Sequence, residues 1–460
     1  MPASGRSAPT STWSTTWVAR RFPVYARACL LAVLFVAPVA MNLGALNVFM
    51  LVKVTSIWVF GVIALGLWAV WSAERHEGLP PTRWARVAAA FLAACVLATV
   101  TSTNPILSLV GIYQRYGGLL PLLLYASVAM VIVGLYWRHP DAVGQLAWAV
   151  TAGTAVLVGY VLIQAAGLDW MGWTDPETGQ PPSYPGGTIG NSNFAGGYLA
   201  IALPLVLYTA LAPSSRRVRT ALLAVFGLTA LALWCTQTRG GMAGAAAATT
   251  TLALLYRHRI PRWLRRAAAG GLAALALATV LAVWHPGTDE PPGPLSTLHV
   301  FSSNTLSLRV NYWYAAGQIF ADHPVLGTGP DTFFDHYTSH RLPEDGRQHG
   351  GVVPQKPHNI FFEYAANAGA AGLLTYLAMV GVALRAGWRR ARRLAGRQRL
   401  LVACFVASLV AYLVQGFFSI DVPPLALMGW VCLGALAVLA DPKLTAARQA
   451  ALPPAGPEGP

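Results

Sequence analysis

Gly118-Leu119-Leu120-Pro121-Leu122-Leu123-Leu124-Tyr125-Ala126-Ser127-Val128-Ala129-Met130-Val131-Ile132-Val133-Gly134-Leu135-Tyr136 contains no Asp, Glu, Lys or Arg. A helix of about 20 residues crosses the ~30 Å hydrocarbon layer of a bilayer, so this stretch predicts a membrane-spanning helix. Comparable runs lie at 27–45, 51–72, 87–103, 143–166, 191–211, 219–236, 241–256, 266–284, 359–384, 400–418 and 424–440. The implied fold class is all-α: a polytopic membrane protein with about 12 transmembrane helices. Composition agrees, because 55% hydrophobic residues, 11% charged residues and a mean hydropathy of +0.51 exceed what a water-covered domain carries.

Between the ninth and tenth runs lies a polar island, Trp284 to Pro357. It divides the chain into a disordered tail (1–22), nine spans (23–284), a large loop with short amphipathic helices (285–357), three spans (358–440) and a second disordered tail (441–460). Charge predicts the orientation, since cytoplasmic loops retain Lys and Arg. With the N-terminus inside and every span crossing, 25 of the 32 basic residues fall inside. The seven outside are Lys53, Arg115, Arg239, Arg309, Arg341, Arg347 and Lys356. Acidic residues divide five inside and twelve outside, giving +20 and −5. Both termini are therefore expected in the cytoplasm and the island on the outer side.

A formal charge of +15 would suggest nucleic acid in a soluble protein. Here the arginines from Arg385 to Arg399 flank membrane ends, where orientation and anionic lipid account for them, so membrane lipid is the expected partner and nucleic acid is not. The first apolar run has no convincing small-residue cleavage site and reads as a retained span. The five cysteines lack metal-ligand spacing, and no phosphate loop or dinucleotide fingerprint occurs.

Chemistry concentrates on the outer face. Arg239 stands in Gln237-Thr238-Arg239-Gly240-Gly241 and Arg115 in Tyr113-Gln114-Arg115-Tyr116-Gly117-Gly118. One arginine at a helix end often only snorkels to headgroups. Two beside glycine pairs suggest phosphate contact, because glycine admits close approach and guanidinium binds phosphate oxygens in a planar fork. Within the island, Ser307 to Phe320 has apolar residues at 312, 313, 316, 319 and 320, which predicts an amphipathic helix at the membrane interface, opened by Arg309. His358 follows Lys356-Pro357 where the loop enters the membrane. An isolated histidine is more often structural; beside outer-face arginines it suits a general base.

The order Leu306-Ser307-Leu308-Arg309 with Tyr312-Trp313, then Asp322-His323-Pro324-Val325-Leu326-Gly327-Thr328-Gly329-Pro330, then Pro357-His358-Asn359 with Glu363 and Gly369, resembles the O-antigen ligase and O-antigen polymerase family. Gly190-Asn191-Ser192-Asn193-Phe194-Ala195-Gly196-Gly197-Tyr198-Leu199 and Thr238-Arg239-Gly240-Gly241 extend the resemblance upstream. It implies a GT-C type glycosyltransferase of a bacterial inner membrane that takes a glycan from undecaprenyl pyrophosphate without a metal or other cofactor. His358 and Arg309 match the family's essential pair, Arg239 its second arginine, and Asn359 and Tyr312 lie within the same motifs.

The chemistry implied is inverting transfer, with His358 taking the acceptor's proton and Arg309 and Arg239 stabilising the diphosphate, helped by Arg115 or Lys356. The acceptor stays open among lipid A core, a second glycan and protein, so ligase, polymerase and protein O-oligosaccharyltransferase readings coexist. Ile360-Phe361-Phe362 stands where leucine is more usual, and Ala366-Asn367-Ala368 lacks an acid often found before the glycine. Clustered carboxylates that suit a hard divalent cation are missing from the sequence, so no metal is expected. Asp289 with Glu290, and Glu344 with Asp345, read as solvated loop residues. Glu363 falls about 140° round a helix from His358 and is not expected to pair with it. A secondary transporter is the rival class, but it would place its site at the bilayer midplane within repeated halves, and no internal repeat is seen.

Overall fold

The computed structural model describes residues 12–45, 47–113, 115–172, 183–257, 303–348 and 351–450. The first group of helices comprises α1 (Thr12–Val39), α2 (Met50–Glu74), α3 (Arg83–Val100), the short α4 (Pro105–Val110), α5 (Leu119–Tyr136), α6 (Gly144–Ala165), α7 (Ser192–Leu211), α8 (Arg216–Cys235) and α9 (Arg239–Leu255). The second comprises α10 (Ser303–Asp322), α11 (Phe333–His340), α12 (Pro343–Gln348), α13 (Ile360–Arg393), α14 (Gly396–Phe417), α15 (Pro423–Ala440) and α16 (Pro442–Ala450). No strand occurs among the described residues.

Ten helices among these residues are long and apolar enough to cross a membrane: α1 from Arg20, α2, α3, α5, α6 with the turn before it, α7, α8, α13, α14 and α15. The expected span at 241–256 is the 17-residue helix α9. The one expected at 266–284 lies outside the described residues.

Lipid and protein faces separate along the helices. All of α15 is buried, packed on α5, α13 and α14. Apolar surface gains little by leaving lipid, so close van der Waals contact has to hold such a helix. Its glycines provide that contact: Gly434 lies on the Ala129 backbone and Gly429 on the Tyr412 ring. At the other extreme α8 exposes Leu223, Leu228, Leu231 and Trp234, a face stable only against hydrocarbon. Lys53 is fully buried within α2 and donates to the carbonyls of Ala40 and Thr188. It is therefore a structural clasp between the end of α1 and the turn before α7.

Two expected tails are partly helical. Helix α1 starts at Thr12, inside 1–22, because extending a membrane helix backward needs no new nucleus. Residues 442–450 form α16, started by Pro442 and by Asp441, whose carboxylate accepts from Lys443 N at 2.8 Å.

The feature that shapes the functional end is a break in α13. Gly369 has φ +61° and ψ −163°, and the loop 324–329 crosses the gap. Ala370 N donates to Pro324 O (2.8 Å) and Ala371 N to Val325 O (3.1 Å), while Thr328 N and Gly329 N donate to Ala366 O and Asn367 O (3.0 and 2.9 Å). The loop thus supplies the partners that the broken helix cannot. A Cβ at 369 would collide with the Val325 backbone. Gly369→Ala is expected to lose about 2–4 kcal/mol through left-handed strain and overpacking. Thermal unfolding in detergent measures this, and an unchanged melting temperature would contradict the loop crossing.

Candidate active site

Asp331 organises the loops at this end. It is 1% exposed and holds φ +62°, a conformation that costs a non-glycine residue about 1–3 kcal/mol. In return its Oδ2 accepts from Ile112 N (2.7 Å) and Gly117 N (3.0 Å), and its Oδ1 lies 3.4 Å from Lys356 Nζ. Lys356 Nζ also donates to Glu363 Oε1 at 2.5 Å. Burial pulls the Lys356 ammonium down, but Asp331 and Glu363 outweigh it and hold the pKa above its usual value. One acidic side chain therefore ties the segment carrying Arg115 to the segment carrying His358.

His358 enters from that second segment with φ +55°. Asn359 sets the start of the next helix: its fully buried side chain caps α13 by accepting from Phe361 N (2.9 Å) and Phe362 N (3.2 Å). The Tyr312 ring lies 5.7 Å from the imidazole at 36°, and Tyr337 meets Tyr312 edge-on. Burial and then the charges of Arg309 and Arg115 push the His358 pKa down to about 4. The imidazole is thus neutral at neutral pH, as a proton acceptor must be.

The arginines arrive from three elements. Arg309 lies in the second turn of α10, which begins at Ser303, ahead of the Ser307 to Phe320 stretch expected from sequence. Arg239 starts α9, brought close to α7 because Gly241 packs on the backbone of Gly196. Arg115 lies over the Phe194 ring (5.8 Å) and donates from Nε to Gln355 Oε1 (2.6 Å). Burial first and Arg239 second depress the Arg309 pKa, so these two guanidiniums sense each other. None of the described carboxylates forms an ion pair with Arg309. Half-buried cations grouped in this way suit an anion with several oxygens.

Of the residues selected from sequence, His358, Arg309, Arg239, Arg115 and Tyr312 converge, and Asn359 supports them as a helix cap. Lys356 needs correction as a diphosphate ligand. At 3% exposure and between two carboxylates, its charge is already neutralised. Asp345 also differs from its solvated reading, being 2% exposed and accepting from Tyr337 OH (2.6 Å) and Asn311 Nδ2 (2.8 Å). Its neighbour Glu344 is exposed and pairs with Arg347, as a surface residue does. The apolar face of α10 meets protein: Tyr312, Ala315, Ala316 and Ile319 pack with Phe333, Tyr337 and Ala366. Sequence reasoning missed Asp331, Gln355 and the packing roles of Phe194 and Gly196, since each acts through a partner far along the chain. Lys356→Met is expected to cost about 3–5 kcal/mol by leaving buried carboxylates unpaired. A variant with wild-type melting and weakened donor binding alone would return Lys356 to the diphosphate.

No curated protein matches the chain. The O-antigen ligase family model matches residues 222–377, a stretch that runs from α8 into α13 and carries Arg239, Arg309, Lys356, His358 and Asn359. Over that stretch, which bears the histidine and two of its arginines, the chain is similar to the O-antigen ligase family, and its ten apolar helices place it among multi-pass membrane proteins.

Proposed function

We propose that the protein transfers a glycan from undecaprenyl pyrophosphate to an acceptor hydroxyl at the outer face of a bacterial inner membrane. The observation that carries this reading is a half-buried His358 set beside Arg309 and Arg115, kept neutral by burial first and by those two charges second. The positive-inside distribution supports the sidedness, with both termini cytoplasmic. A GT-C type enzyme of this kind works on a lipid-held donor at the membrane surface.

In the proposed step the acceptor oxygen attacks the anomeric carbon as its proton passes to a ring nitrogen of His358. The bond from that carbon to the diphosphate oxygen breaks, and undecaprenyl pyrophosphate leaves with the electron pair. Direct displacement inverts the anomeric centre. Arg309 and Arg239 receive the charge that develops on the leaving group, and Arg115 extends the same field. Tyr312 keeps the imidazole plane in place.

Transfer is measured with purified protein, lipid-linked glycan and candidate acceptors, namely lipid A core, a second glycan or protein, followed by intact mass of the product. Absence of any released undecaprenyl pyrophosphate would end the proposal and favour transport. His358→Ala is expected to lower transfer at least about 100-fold while donor binding persists. Full turnover by that variant removes the base assignment. Arg309→Lys is expected to lose about 10- to 100-fold, because a point charge cannot reproduce bidentate contact.

The pH dependence is set by the depressed histidine. The base form is present above its pKa, so activity is lost as pH falls through that value. For kcat/KM, which reports the free enzyme, the acid limb is expected near pH 4. For kcat the limb is expected higher, since bound diphosphate offsets the two guanidiniums. Arg309→Gln should likewise move the kcat/KM limb upward, and a limb that ignores this change would contradict the coupling.

A further inference from the structure

Asp345 is a buried acid that the proposed step does not use. It lies on α12, 2% exposed, although its neighbour Glu344 keeps its carboxylate in water beside Arg347. Burying an acidic group is costly unless its oxygens are hydrogen-bonded. Both oxygens are engaged here: Oδ1 accepts from Asn311 Nδ2 of α10 (2.8 Å) and Oδ2 from Tyr337 OH of α11 (2.6 Å). Helix α11 is itself fixed to the turn between α3 and α4, because His336 Nε2 meets Thr103 Oγ1 (2.9 Å) and Asp335 Oδ2 accepts from Asn104 Nδ2 (3.3 Å). Burial first and the Asp345 hydrogen bond second push the Tyr337 pKa up, so its hydroxyl remains a donor.

What this tether holds is one wall of the candidate site. Asn311 stands between Arg309 and Tyr312 in α10, and those two residues, three apart, fall within about 60° of each other around the helix. The Tyr312 ring lies 5.7 Å from the His358 imidazole, and the Tyr337 ring meets Tyr312 edge-on, also at 5.7 Å. Packing of Tyr312, Ala315, Ala316 and Ile319 on Phe333 and Tyr337 draws α10 to α11 without selecting a rotation or register, because apolar attraction is non-directional. Two hydrogen bonds converging on one buried side chain select one. We infer that Asp345 is a positioning residue for transfer: through Asn311 and Tyr337 it fixes Arg309 and Tyr312 against His358. The inference rests on the glycosyl-transfer reading above.

The test uses the full chain in detergent with Tyr337→Phe, which removes a single oxygen, and Asp345→Asn, which keeps the shape but sets an amide NH2 against one of the two donors. Glu344→Gln is the exposed control. Transfer is measured beside the titration of His358, followed by imidazole NMR with its signal identified by its absence in His358→Gln. Expected is about a tenfold loss of kcat/KM in the first two variants, since a displacement of about 1 Å can cost up to about 10²-fold. The His358 pKa is expected to rise from about 4 as the imidazole loses enclosure and the nearby charge of Arg309. Asp345→Asn also removes a negative charge, which alone would lower that pKa, so a rise reports displacement. Glu344→Gln is expected to change neither quantity. A purely structural role would lower the rate through the fraction of folded protein and leave the titration in place. That result in both variants overturns the inference, as does an unchanged rate; Tyr337→Phe decides the matter if Asp345→Asn fails to fold. A wild-type protein that releases no undecaprenyl pyrophosphate overturns the glycosyl-transfer reading and the positioning role with it, whereas an active wild type with unmoved titrations in the variants overturns the role of Asp345 alone.

Discussion

A buried lysine held between Asp331 and Glu363 is the contact on which the functional end depends. Removing an ammonium and two carboxylates from water is expensive, and only close pairing with further hydrogen bonds offsets it. Here the bonds are available: Asp331 receives two backbone N–H groups from the segment around Arg115, and Lys356 reaches both acids. The geometry is consequently strict. Gly111, Gly117 and Gly118 crowd against each other and against Asp331 and Lys356, where any side chain would displace them. What emerges is a fixed distance between two loops far apart in sequence, one bearing Arg115 and one bearing His358.

The interrupted helix α13 serves the same end by a different route. A membrane helix that stops satisfying its own backbone needs partners from elsewhere. The turn from Pro324 to Gly329 provides four such bonds and is itself shaped by positive φ at Gly327 and Gly329. This turn leads directly into Asp331. The break at Gly369 and the buried ion pair are therefore one construction: the turn that repairs the helix also delivers the acid that pairs with Lys356. Asn359, capping the start of the same helix, sets the direction in which His358 leaves it.

Membrane helices were legible because composition and length are local properties; α5 and α15 can be read from their own residues. The candidate site was legible where an unusual residue stands at an unusual place, as with His358 at a loop end or Arg239 beside paired glycines, residues that the structure groups around Arg309. Lys356 and Asp345 were misread for a common reason. Burial of a charged side chain depends on partners such as Asp331, Tyr337 and Asn311, and neither spacing nor composition reveals them. The histidines of the loop show the same limit: His323, His336 and His340 look unremarkable in sequence, yet their rings adjoin at 6.1 Å steps, with His340 on Asp322 and His336 on Thr103.

In the proposed reading, a base placed among guanidiniums looks counterproductive, since a histidine depressed to about 4 is a poor acceptor of protons. The arrangement becomes sensible once substrate charge is included. A diphosphate bound to Arg309 and its neighbours cancels part of the field on His358, and each unit by which the pKa recovers corresponds to about 1.4 kcal/mol of coupling. Donor binding and base strength then rise together. In the unliganded site the imidazole is both neutral and weakly basic, which protects it from premature protonation. Burial lowers the Arg115 pKa, and the opposite charge of Asp331 offsets part of that cost. The grouped cations favour an anion, so under the proposed function the electrostatic cost of grouping them would be recovered when the diphosphate binds.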